Sequence, residues 1–235
     1  MMRKLFRAEY DKLRKLCLWI PLISASILVS FTCLEWYLYF RQGEAGVYAG
    51  FNVMYLFLSF TLLLTVSLLA SLIAETEHRA EGWKLLFSMP VSRPGLYLAK
   101  ALWVGILMLV TALLIIIGVC GVWVLYTSQP LPFLFLVKQI FGGLLSCLPV
   151  LGIQLYLSVR FSNPTFPLAV GLVGAISSLF IGRSGSLWIY FVPWAYPSLS
   201  SPFTPGYGGL ILFASITGLI LLGAGSVLYY KRDFY

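Results

Sequence analysis

The amino-acid sequence predicts an all-α polytopic membrane protein with six transmembrane helices, and three observations predict it. Only 10% of the 235 residues are charged and 60% are hydrophobic, with a mean hydropathy of +0.92; a soluble domain carries about a quarter charged residues. The uncharged apolar runs recur at close to the ~20 residues that a hydrocarbon core requires. Lysine and arginine are divided unequally between the segments joining those runs. One transmembrane domain over residues 1–235 accounts for the length.

Residues 1–15 are basic, with Arg3, Lys4, Arg7, Lys12, Arg14 and Lys15 against Glu9 and Asp11. Leu5, Phe6, Tyr10, Leu13 and Cys17 fall close to one helical face, the pattern of an interfacial amphipathic helix on an anionic inner leaflet. A secretory signal peptide shares such a start. Here the uncharged run Leu16–Leu34 is longer than an h-region and ends in Trp36, Tyr37 and Tyr39 without a small-x-small site. It reads as an uncleaved first span over about 16–38.

The later spans are expected at about 54–74, 101–126, 139–159, 164–182 and 209–230. The third ends at Gln129-Pro130-Leu131-Pro132, the fourth contains Pro149 as a kink, and the fifth follows the broken loop Asn163-Pro164-Thr165-Phe166-Pro167. Residues 183–208 are too rich in proline and glycine to span. With Trp188, Tyr190, Trp194 and Tyr196 they read as a re-entrant or interfacial hairpin at the headgroup level, on the outer face.

With both termini inside, the cytoplasmic side holds six basic residues in 1–15, four in 75–100, then Arg160, Lys231 and Arg232, thirteen in all. The other side holds three: Arg41, Lys138 and Arg183. This positive-inside asymmetry orients the chain N-in and C-in. It also accounts for the net charge of +8 through a membrane surface, with no nucleic-acid partner. Cys17, Cys33, Cys120 and Cys147 lie far apart within apolar runs and read as small hydrophobes, neither a disulfide framework nor a metal cluster.

No enzyme constellation stands out. His78 is the single histidine, so a two-histidine metal site cannot be built, and there is no Gly-x-Ser-x-Gly elbow or phosphate-binding Gly-x4-Gly-Lys-Ser/Thr loop. If ATP is used, another polypeptide binds it. An intramembrane hydrolase built on Glu75, Glu77 and His78 is the enzyme-class alternative. Glu35 reads as a carboxylate at the interface, and Asn52, Ser146 and Gln154 read as helix–helix hydrogen-bonding groups. The spans lack the charged relay of an ion-coupled carrier, which favours a transporter driven from outside the membrane. Gly142 with Ser146, Gly171 with Ala175 and Ala214 with Gly218 are small-x3-small pairs suited to close packing.

The stretch Glu75–Lys100 concentrates charge between two spans: Glu75, Glu77, His78 and Glu81 with Arg79, Lys84, Arg93 and Lys100. Within it, Trp83, Leu85, Leu86, Phe87 and Met89 form a short apolar segment stopped by Pro90 and Pro94. These side chains are costly to leave in water, yet they cannot span. They belong on the membrane surface or in a partner's groove, where large aromatics are typical anchors. A non-transporting anchor or sensor subunit would recruit a partner through the same stretch.

At this stretch the sequence resembles the permease subunits of ABC-2 type ABC transporters, and among them the lantibiotic and bacteriocin self-immunity permeases, with the bacitracin-resistance permeases nearby. The likeness rests on Glu75, Glu77, Trp83, Lys84, Leu85, Leu86, Pro90, Val91, Ser92, Arg93, Tyr97 and Lys100. The resemblance implies a bacterial plasma-membrane dimer of this permease, with itself or a homologous one, driven by cytosolic P-loop ATPase subunits that bind ATP and magnesium. It places the ATPase-coupling residues at Glu77, Glu81, Gly82, Trp83, Lys84, Leu85, Leu86, Phe87, Met89, Pro90 and Arg93, and no cofactor in this chain. The implied cargo is an amphipathic peptide antibiotic, exported or expelled from the membrane.

Overall fold

The computed structural model of the chain describes residues 2–13, 15–37, 47–79, 92–126, 130–181 and 187–230, and the regular structure within them is helical. In order these are α1 (Met2–Lys12), α2 (Lys15–Glu35), α3 (Val47–Arg79), α4 (Arg93–Tyr126), α5 (Phe133–Ser146), α6 (Leu148–Arg160) and α7 (Thr165–Ile181). Two 3₁₀ turns (Leu187–Phe191 and Pro193–Ala195), the short α8 (Tyr196–Leu199) and α9 (Tyr207–Tyr230) complete the chain.

The residue distribution is that of a bundle solvated by hydrocarbon. The outward faces carry Leu22, Ile27, Ile117, Val173, Phe180 and Leu219, while polar groups such as Thr111, Gln139, Ser146 and Gln154 lie inside. With no water to satisfy them, hydroxyls inside the helices bond back to their own turn. Thr32 donates to the Leu28 carbonyl, Thr65 to Thr61, Ser67 to Leu63 and Thr111 to Leu107, all at 2.7–2.9 Å.

Successive long helices run in opposite directions. At one end Trp36, Phe51, Trp123, Phe135 and Phe203 form an aromatic cluster, with Trp36–Trp123 centroids 4.9 Å apart, Phe51 stacked on Trp123 at 5.4 Å and Phe135 edge-on to Phe203 at 4.9 Å. At the other end lie α1, the last turns of α3 and α6, the start of α4 and the end of α9. Among the described residues, five helical segments are long and apolar enough to cross a membrane: Lys15–Glu35, Met54–Thr76, Arg93–Leu125, Phe133–Arg160 and Tyr207–Tyr230. A shorter apolar helix, α7, has 17 residues.

Several expected boundaries move, each for a physical reason. The connection expected over 75–100 is shorter, because α3 continues to Arg79 and α4 begins at Arg93. Lys100 is a charge that need not end a helix, since it is buried and paired inside the bundle. The fourth pass begins at Phe133, not 139, and breaks at Cys147 (φ −79°, ψ −11°) before restarting as α6. Pro149 has no N–H for the Leu145 carbonyl and its ring crowds that carbonyl, so the helix stops short of it and Pro149 becomes the second residue of α6. In the segment expected as a 183–208 hairpin, Ala195–Ser198, Ser200 and Ser201 are buried, and α8 packs against α3, α5, α7 and α9.

The small-residue pairs serve packing within the chain. A Cβ on Gly142 would meet the Ser200 carbonyl at 2.9 Å, one on Gly218 would meet the Leu148 carbonyl carbon at 2.8 Å, and one on Gly171 would overlap Ser67. Gln154 is fully buried, and its amide inserts into the first turns of α7, donating to the Pro167 carbonyl (3.1 Å) and accepting from the Gly171 N–H (2.9 Å). Gln139 likewise ties α5 to α3 by donating to the Phe51 carbonyl at 3.1 Å. Cys17, Cys33, Cys120 and Cys147 form no disulfide among the described residues.

Candidate functional site

The expected coupling residues Glu81, Gly82, Trp83, Lys84, Leu85, Leu86, Phe87, Met89 and Pro90 lie outside the described residues, as does the side chain of Glu77, whose backbone closes α3. The structure describes the two helix ends that flank them. Glu75 stands in the last turns of α3, and Arg93 is the first residue of α4. Ser92 precedes it, and its carbonyl accepts from the Leu96 N–H at 3.1 Å, closing the first turn. Pro94 fits that turn because its missing N–H would have no helical partner there.

The first three turns of α4 touch three other parts of the bundle. The Arg93 guanidinium donates to the Tyr230 carbonyl at 3.4 Å, placing positive charge on the C-terminal turn of α9, where the helix dipole favours it. The Tyr97 hydroxyl donates to the Gly152 carbonyl of α6 at 3.3 Å, and its ring lies 6.0 Å from that of Tyr229. This approach depends on Gly225, where a Cβ would come within 2.8 Å of the Tyr97 ring carbon that bears the hydroxyl.

The third contact runs to α1. Lys100 Nζ donates to Glu9 Oε2 at 2.7 Å, with the two side chains 1% and 3% exposed. The other carboxylate oxygen, Oε1, takes Lys12 at 3.4 Å from the solvent side. One turn further along α4, Trp103 donates its indole N–H to the Phe6 carbonyl at 3.0 Å. Its ring stacks on Phe6 at 4.4 Å and leans on Tyr10 at 5.3 Å. Within the segment expected as an amphipathic helix over 1–15, α1 covers Met2–Lys12, and its Phe6 and Tyr10 lie against Trp103 of α4.

The sequence alone assigns no role to Glu9, Trp103 or Gly225, and places Phe6 only on the apolar face of the first helix. The signal for Glu9 was available: it stands three residues after Phe6 and four before Leu13, inside the apolar stripe of α1. Lys100 likewise falls on the stripe of Leu96, Tyr97, Val104 and Met108 that α4 buries. A carboxylate and an ammonium on two buried stripes call for each other, because neither can be left there alone.

Among the described residues no group of three histidines, cysteines or carboxylates could hold a metal ion. The start of α4 is bonded to α1, α6 and α9. A family model described as an ABC-2 family transporter protein matches residues 5–178, from α1 to near the end of α7, and so includes the whole of this frame except Gly225, Tyr229 and Tyr230. No curated protein matches the chain.

Proposed function

This chain belongs to the ABC-2 family of transporter proteins, and from that premise we propose that it is a permease whose power stroke enters through residues 77–93. As a membrane permease subunit of an ABC transporter it works with a cytosolic ATPase subunit, and in this reading ATP and magnesium bind to that partner. The observation that carries the proposal is the family match over both the candidate coupling stretch and the α4 frame behind it. In this reading Trp83, Leu85, Leu86, Phe87 and Met89 are the apolar anchors in a cleft of the ATPase, with Glu77, Glu81 and Lys84 at its rim. Gly82 and Pro90 set the turns at either end, and Arg93 hands the motion to α4.

The geometry supports such a route. A push at the start of α4 meets the end of α9 through Arg93 and Tyr97, α6 through Tyr97, and α1 through Lys100 and Trp103. The membrane unit is a dimer, with itself or a related permease, in the bacterial plasma membrane with both termini in the cytoplasm. Its cargo is an amphipathic peptide antibiotic. The family leaves that cargo open, and the apolar walls and scarcity of charge in the bundle are what favour a membrane-seeking substrate.

The test is purification of the full chain from its native membranes in mild detergent. A P-loop ATPase is expected to accompany it. In nanodiscs, Trp83→Ala and Arg93→Glu are expected to lower cargo-stimulated ATP turnover about tenfold, the typical loss of a well-buried anchor, with the fold intact by thermal unfolding. Full turnover in both variants would refute the coupling role. ATP turnover without movement of a lantibiotic-type peptide across the bilayer would refute the cargo.

A further inference from the structure

Glu9 and Lys100 stand 91 positions apart in the chain, yet their side chains meet at 2.7 Å in the interior. Such a pair is a poor choice if adhesion is all that is needed. Removing both charges from water is costly, and two well-packed apolar side chains would hold α1 on α4 at least as firmly. What the pair adds is a unique register, since a short bond between two confined side chains allows α1 one axial and one rotational position.

The register matters because of what lies on either side. Lys100 follows the first residue of α4 by seven positions, two turns from the end of the candidate coupling stretch. Glu9 sits in a helix separated from α2 by only residues 13 and 14. Further along, α2 and α4 lie against each other closely enough that a Cβ on Gly118 would reach Val29 Cγ1 at 3.0 Å.

We propose that Glu9 and Lys100 are positioning residues whose ion pair locks α1 to the start of α4 in one register, so that α1 acts as a lever carrying motion from the coupling stretch to α2. The proposal rests on the coupling reading given above. It assigns α1 a mechanical part in place of simple membrane anchoring.

The test uses the full chain in nanodiscs with the ATPase that co-purifies with it. Glu9→Gln or Lys100→Glu alone lowers permease-dependent ATP turnover about tenfold while the ATPase still co-purifies, and the reversed pair Glu9→Lys with Lys100→Glu restores most of it. The decisive variant is Glu9→Leu with Lys100→Met. It keeps a thermal midpoint at or above that of the parent chain but loses coupling to the same extent. Full coupling in that apolar variant overturns the proposal, as does a folded reversed pair that restores nothing.

A second readout needs no ATPase. Nitroxides on Asp11→Cys and Leu102→Cys, with the native cysteines replaced by alanine, give one narrow distance in the parent and a broad distribution in the apolar variant. An unchanged narrow distance in the apolar variant overturns the lock. If no ATPase accompanies the chain, the coupling reading fails, and this distance still decides whether the pair sets register.

Discussion

Gly225 faces the Tyr97 ring so closely that the hydroxyl-bearing ring carbon would lie 2.8 Å from any Cβ placed there. A methyl group at that point must push α9 away from α4 or drive Tyr97 off the Gly152 carbonyl. Overpacking of this kind costs about 1–3 kcal/mol, and Gly225→Ala is expected to lower the thermal midpoint of the purified protein accordingly. Gly223 is the control: nothing lies within 4 Å of its Cβ position, so Gly223→Ala gains up to about 1 kcal/mol of helix propensity. Tyr97→Phe added to Gly225→Ala is expected to recover part of the loss by removing the atom in the way. None of this is legible in the sequence, where positions 223 and 225 are two glycines in one apolar run. The charged residues are more legible. Glu9 is an acid among bases when read along the line, and a buried acid when read around the helix.

At the scale of the element, the fourth pass displays what patterning reveals and what it hides. Hydropathy places the pass, and Pro149 announces a disturbance, but the break falls at Cys147 because a proline disrupts the turn before itself. The space opened by the break is filled by α9, whose Gly218 lies against the Leu148 carbonyl carbon and the Pro149 nitrogen at 2.8 and 2.9 Å from its Cβ position. Both neighbours are backbone and cannot rotate aside. Gly218→Val is therefore expected to cost more than Gly225→Ala, about 3 kcal/mol or beyond, read as a lower midpoint in thermal unfolding. Gln154 was legible as a helix–helix bond, and its partners are the Pro167 carbonyl and the Gly171 N–H in the opening turns of α7. Gln154→Leu is expected to lose about 1 kcal/mol, the usual worth of an interhelical hydrogen bond in a membrane. The extents of α3 and α4 are not legible in the sequence, because a charge at the edge of an apolar run usually marks a helix end. Lys100 shows why that rule fails: a charge with a buried partner continues the helix.

For the whole molecule, the question is which end faces the ATPase, and charge placement bears on it. Arg7, Lys12, Lys15, Arg93, Lys100 and Arg160 gather at the end where α1 lies, while Lys138 belongs to the half of the bundle near the aromatic cluster. Each cation moved to the wrong face would have to cross a hydrocarbon core, so the basic end is expected to stay on the side of synthesis. A consistent architecture also needs an even number of crossings, and α7 decides that count. Its 17 residues rise about 25 Å at 1.5 Å each, just short of a typical core, and the range for spanning helices begins near that length. Single cysteines test both points at once, in a chain whose own cysteines are replaced by alanine. A membrane-impermeant maleimide added to intact cells is expected to label Trp188→Cys, beyond the end of α7, and to spare Asp11→Cys on α1 and Asn163→Cys before α7 until the cells are opened. Protection of Trp188→Cys in intact cells would leave α7 uncrossed, and labelling of both Asp11→Cys and Asn163→Cys from outside would show the bundle inverted. Inversion would move the α4 frame, and the lever built on it, out of reach of any cytosolic motor.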